Sequence, residues 1–218
     1  MKIETKQNCI WIRDAESPYA LLANKENLME QIAKNECLVL IVEPSKTFKM
    51  PQDSVQCELI SEFFSELSVL TIIADTALEK TELAALLLFD IRLGCSDYVI
   101  CKDTVLSAKQ KSQYEILCGE KALLKYLSFA DSETEESLVT NLVRVLPQSA
   151  NFHEEVNTYV ESLLEGKSPF QIKAVISCFV QARKGDAIRI LNEESRQFYR
   201  LMKAKMEESA NGTNETMV

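Results

Sequence analysis

Two short runs, Leu38–Val42 (LVLIV) and Val69–Ala74 (VLTIIA), are largely β-branched and, but for Thr71, apolar, and a stretch with helical spacing lies between them. A strand covered on one face alternates apolar and polar residues. A run that is apolar throughout is covered on both faces, as parallel strands between two helical layers are. The stretch between, Ser54–Ser68, repeats Val55, Leu59, Phe63 and Leu67 at four-residue steps, which predicts a helix with those residues inward. Asn8–Ile12 reads as a further strand, Lys25–Lys34 as a helix, Thr81–Phe89 as a helix and Asp97–Cys101 as a strand. Strand–helix–strand alternation predicts an α/β core with a largely parallel sheet.

The second half is helical in pattern. Candidate helices are Tyr114–Tyr126, Glu133–Thr140, Asn151–Leu164, Pro169–Lys184 and Asp186–Glu208. Ser168-Pro169 is a good start, because serine caps free backbone N–H groups and proline fits the first helical position. Gly185 is a stop or kink before the last helix. This divides the chain into an α/β core over 1–148, a helical region over 149–208 and a polar, disordered tail over 209–218.

Composition excludes several functions. The net charge is −9 and no basic stripe occurs, which disfavours nucleic acid as a partner. The longest apolar run, Leu83–Phe89, is too short for a membrane span, and no signal-peptide pattern opens the chain. Seven cysteines at irregular spacing, without a CxxC, predict reduced thiols in a cytoplasmic protein. The single histidine, His153, opens an amphipathic helix and reads as a solvated surface residue, so no metal site or histidine triad is expected. Five unclustered glycines leave no phosphate-binding or dinucleotide motif.

Four landmarks, in order, resemble the crotonase (enoyl-CoA hydratase/isomerase) superfamily. Leu38–Asp53 (LVLIVEPSKTFKMPQD) resembles its strand and loop ending in phenylalanine, small residues and aspartate, with Phe48 and Asp53 as the matching ends. Phe89-Asp90-Ile91-Arg92, followed by Leu93-Gly94, resembles the cysteine-aspartate-isoleucine-arginine after the central helix. Leu142-Val143 with Pro147 resembles the turn before the helical tail. Ser168–Met202, with Leu191, Glu194 and Phe198, resembles the tail itself. The resemblance implies a ClpP/crotonase spiral of strand–strand–helix turns with a C-terminal trimerisation region. A homotrimer or dimer of trimers is then the expected assembly.

The resemblance also implies a site, and the sequence departs from it there. In the family two backbone N–H groups stabilise the thioester enolate or oxyanion. Here they fall near Gln52 and on the segment Lys80-Thr81-Glu82, where the family has a glycine triplet. The hydratase glutamates, acid and base, fall near Ala84 and Thr104, which cannot titrate. Nearby ionisable residues leave Lys80, Glu82 and Asp103 as candidate catalytic groups, with the carboxylates otherwise ordinary solvated surface acids.

The resemblance is to a divergent, shortened member of the polyketide-biosynthesis type, and the expected function is a non-catalytic or weakly catalytic structural or regulatory subunit. It would bind an acyl thioester of CoA or phosphopantetheine, or scaffold an acyl carrier protein or partner enzyme, with no other cofactor. The alternative is a divergent enoyl-CoA hydratase/isomerase or decarboxylase of polyketide or fatty-acid metabolism, with Lys80 near the leaving carboxylate.

Overall fold

The structure is a computed structural model that describes residues 1–6, 8–44, 48–75, 82–95, 110–111, 142–146, 151–183 and 196–206. Six strands form one sheet in chain order. β1 (Lys2–Lys6) pairs antiparallel with β2 (Cys9–Ala15). β3 (Val39–Pro44), β4 (Leu70–Asp75), β5 (Ile91–Gly94) and β6 (Arg144–Val145) then continue parallel to β2. The expected parallel sheet is therefore present, with an antiparallel edge added. β1, KIETK, was not recognised because four of its five residues are exposed and it carries no apolar run.

Alternate side chains of the central strands build two cores. Ile10, Ile12, Leu40, Val42 and Ile73 face one side, under α1 (Pro18–Ala23), α2 (Lys25–Lys34), α3 (Ser54–Glu66) and α4 (Leu83–Leu86). Trp11, Val39, Ile41, Ile72 and Leu93 face the other, against Val156 and Val160 of α5 (Phe152–Leu164) and Ile176 of α6 (Pro169–Arg183). Burial on both faces is why β3 and β4 carry no polar alternation. Residues 196–206 are also helical.

Four of the six helices named begin where side chains satisfy their free N–H groups. Ser17, Asp53 and Asn151 cap α1, α3 and α5 through their side-chain oxygens. At α6, Gln171 N–H donates to Ser168 Oγ at 3.3 Å and Ser168 N–H to Gln171 Oε1 at 2.8 Å, a reciprocal capping box.

Three sequence expectations are corrected. In α3 the buried residues are Ile60, Phe63 and Phe64, whereas Val55 and Leu59 are 61% and 47% exposed. A four-residue step overshoots a turn by about 40°, so a long i, i+4 row drifts off the core-facing stripe. The central helix expected over Thr81–Phe89 is a single turn, Leu83–Leu86, closed by turns at Leu87 and Leu88. Ile91–Gly94 forms a strand that the apolar pattern did not single out, since Arg92 interrupts it. The helices expected over 114–126 and 133–140, the strand at Asp97–Cys101, Gly185 and the tail lie outside the described residues.

Candidate functional site

The charged residues of the Phe89-Asp90-Ile91-Arg92 landmark hold the core together. Asp90 Oδ2 accepts from the Thr71 N–H at 2.8 Å and from Thr71 Oγ1 at 2.9 Å, which fixes the turn before β5 to the start of β4. Arg92 donates to the carbonyls of Leu86 at 3.0 Å, Phe89 at 2.6 Å and Leu142 at 3.4 Å. It satisfies the free carbonyls at the end of α4 and ties them to the segment that enters β6. Both side chains are thus consumed by structure, on the far side of α4 from its opening.

The opening of α4 is where the expected site residues meet. Phe48 is fully buried, and its ring lies 6.1 Å from that of Phe89, so the 48–50 loop packs on α4. Glu82 N–H donates to the Phe48 carbonyl at 3.2 Å. The Glu82 side chain reaches back across the same gap: Met50 N–H donates to Glu82 Oε2 at 2.9 Å. Backbone and side chain of one residue therefore clamp the loop at two points. The carboxylate is a buried polar group, at 8% residue exposure, and an N–H partner is what makes such burial tolerable.

This placement corrects the reading of Glu82 as a solvated surface acid. Its apolar neighbours Leu83, Ala84, Ala85 and Leu86 are buried together, so the turn that Glu82 opens has no outward face to offer it. Ala84, the expected position of one lost glutamate, is 2% exposed, and its carbonyl accepts from Gln110 Nε2 at 3.1 Å. Gln52 is exposed, one residue before the Asp53 cap of α3. The loop N–H that bonds Glu82 is that of Met50. No signal in the sequence marked Met50, because a backbone donor leaves no residue-type signature. Lys80, Thr81, Asp103 and Thr104 lie outside the described residues, so the structure brings together Glu82, Ala84 and the Phe48–Gln52 loop from the expected set.

A depression lined by Ser61, Phe64, Ser65, Leu87, Leu88, Gln110 and Arg183 lies between α3 and the end of α4, and none of Met50, Gln52 or Glu82 lines it. Among the described residues no group of three or more His, Cys, Asp or Glu could hold a metal ion. No described helix is long and apolar enough to cross a membrane.

His153 is also corrected. It is half-buried over Trp11, with ring centroids 4.3 Å apart. Its Nδ1 lies 2.9 Å from Glu43 Oε1 and its Nε2 lies 2.8 Å from Arg13 Nη2. Arg13 in turn lies 3.3 Å from Glu43 Oε2. The helix opened by His153 docks on β2 and β3, so its first turn meets the sheet rather than solvent. The cysteines Cys9, Cys37 and Cys57 are free thiols. Burial pushes Cys9 and Cys37 up to about 11.

No protein-family model matches the chain, and no curated protein matches it. Solved structures do. An enoyl-CoA hydratase from Bacillus anthracis matches over 98% of this chain and 95% of its own, with a TM-score of 0.66 at 15% identity. An enoyl-CoA hydratase/isomerase family protein from Silicibacter pomeroyi matches over 92% of this chain and 99% of its own, with a TM-score of 0.66 at 11% identity. DspI of Pseudomonas aeruginosa matches over 98% of this chain and 93% of its own, with a TM-score of 0.65 at 18% identity. The chain has the crotonase fold, that of the enoyl-CoA hydratase/isomerase family. At these identities the likeness is one of fold, and chemistry rests on the residues at the site.

Proposed function

We propose that this protein is a crotonase-fold subunit with a degenerate active site, which binds or scaffolds an acyl thioester of CoA or of a carrier protein and turns it over weakly or not at all. The observation that carries the reading is at α4. The position expected to hold a carboxylate is Ala84, buried and without an ionisable group, and the acid two residues before it, Glu82, is already committed to the 48–50 loop. Hydration needs one group to take a proton from water while another gives one. A buried alanine and a clamped glutamate supply neither.

Self-association belongs to the same reading. Phe198, Met202 and Met206 recur at four-residue steps on the last described helix and are 67%, 45% and 68% exposed, with Tyr199 beside them at 70%. An apolar row of that kind supports burial against another copy, as in a trimer or dimer of trimers.

Assays of the purified protein with crotonyl-CoA and with butyryl and crotonyl thioesters of a carrier protein test the proposal. Saturable binding with turnover near background is expected. Robust hydration, isomerisation or decarboxylation would sink the degenerate-site reading in favour of a divergent enzyme, and absence of binding to every thioester would remove the ligand class.

A further inference from the structure

We draw no further inference here: the strongest candidate, the half-buried cluster of Arg13, Glu43 and His153 where the first turn of α5 meets β2 and β3, carries nothing, because its guanidinium and carboxylate are paired with each other and with the ring and so belong to the docking of α5 already described.

Discussion

The Nε of Arg183 lies 3.0 Å from Oδ1 of Asp90, and both side chains are almost fully buried. The Nε–H is not aimed at that oxygen, so the contact is charge on charge rather than an aligned hydrogen bond. The rest of the guanidinium donates to the carbonyls of Phe64 and Val69, each at 2.6 Å. One residue thereby ties the end of α6 to the end of α3, the start of β4 and the turn before β5. Burial raises the Asp90 carboxyl, opposed by Arg183 and Thr71, and burial lowers the Arg183 guanidinium, opposed by Asp90. Breaking a buried pair by removing one partner costs about 3–5 kcal/mol, because the other charge stays buried. Asp90→Asn and Arg183→Met are each expected to lose stability of that order in urea denaturation. A loss below about 1 kcal/mol, the range of exposed pairs, would show that the pair does not hold α6 in place.

Restoring a carboxylate at Ala84 is not expected to restore hydration. Ala84 is packed among Leu83, Ala85 and Leu86 in the core. A glutamate there buries a charge and overfills the space, at an expected cost of at least about 3 kcal/mol. Thermal melts of Ala84→Glu, with a crotonyl-CoA assay at a temperature where the variant is folded, check both parts. A stable variant that hydrates crotonyl-CoA would mean that the site needs only that one group.

The thiols make a pH prediction with a definite sign. Cys9 and Cys37 titrate near 11 in the fold, by burial, against an ordinary value of 9.0. The folded state holds these protons more tightly than the unfolded one. Their contribution to stability is complete below about 9 and is lost as pH rises towards about 11. Urea midpoints are expected to fall across that window, and less steeply in a Cys9→Ala, Cys37→Ala double variant. At pH 8 both thiols are expected to resist alkylation until the protein unfolds. Rapid labelling of either in the native protein would contradict their burial.

His153 takes its orientation from a carboxylate. Glu43 can only accept, so Nδ1 carries the proton directed at it. Arg13 Nη2 lies 2.8 Å from Nε2 and 3.3 Å from Nδ1, beside the ring rather than along a lone pair. Nitrogen-15 shifts are expected to show a protonated Nδ1. In Glu43→Leu the Nδ1 loses its acceptor and that preference is expected to weaken. An unprotonated Nδ1 in the parent would mean that the contact with Glu43 is not a hydrogen bond.

The apolar row on the last described helix predicts self-association. Light scattering of the parent is expected to give a mass above that of one chain. Phe198→Glu, with Met202→Lys added if needed, is expected to shift the mass to that of a monomer without changing the melting temperature of the core. A monomeric parent would leave Phe198, Met202 and Met206 unexplained.

Most of the sheet was legible because burial on both faces leaves its mark in composition. Leu38–Val42 is apolar throughout and Val69–Ala74 is apolar but for Thr71, and β3 and β4 lie over them within two residues. Helix starts were legible where a cap is a residue type, as at Ser168-Pro169 and Asn151. The edge strand β1 left no such mark, and α3 buries Phe63 of its four-residue row but exposes Val55 and Leu59. The landmark Phe89-Asp90-Ile91-Arg92 was recognised as a pattern, but its purpose was not. Its partners Thr71, Leu142 and Arg183 are distant in the chain, and no local spacing points to them.

The same division runs through the candidate site. The sequence by itself determined that α4 opens without glycines and carries alanine at position 84, since these are statements about residue types in a register. Only the tertiary structure decided that Glu82 is buried and that its partner is the Met50 N–H rather than solvent. The reason is physical. Two segments far apart in the chain meet only when β3 and β4 lie side by side, and a backbone donor has no letter in the sequence by which to be found.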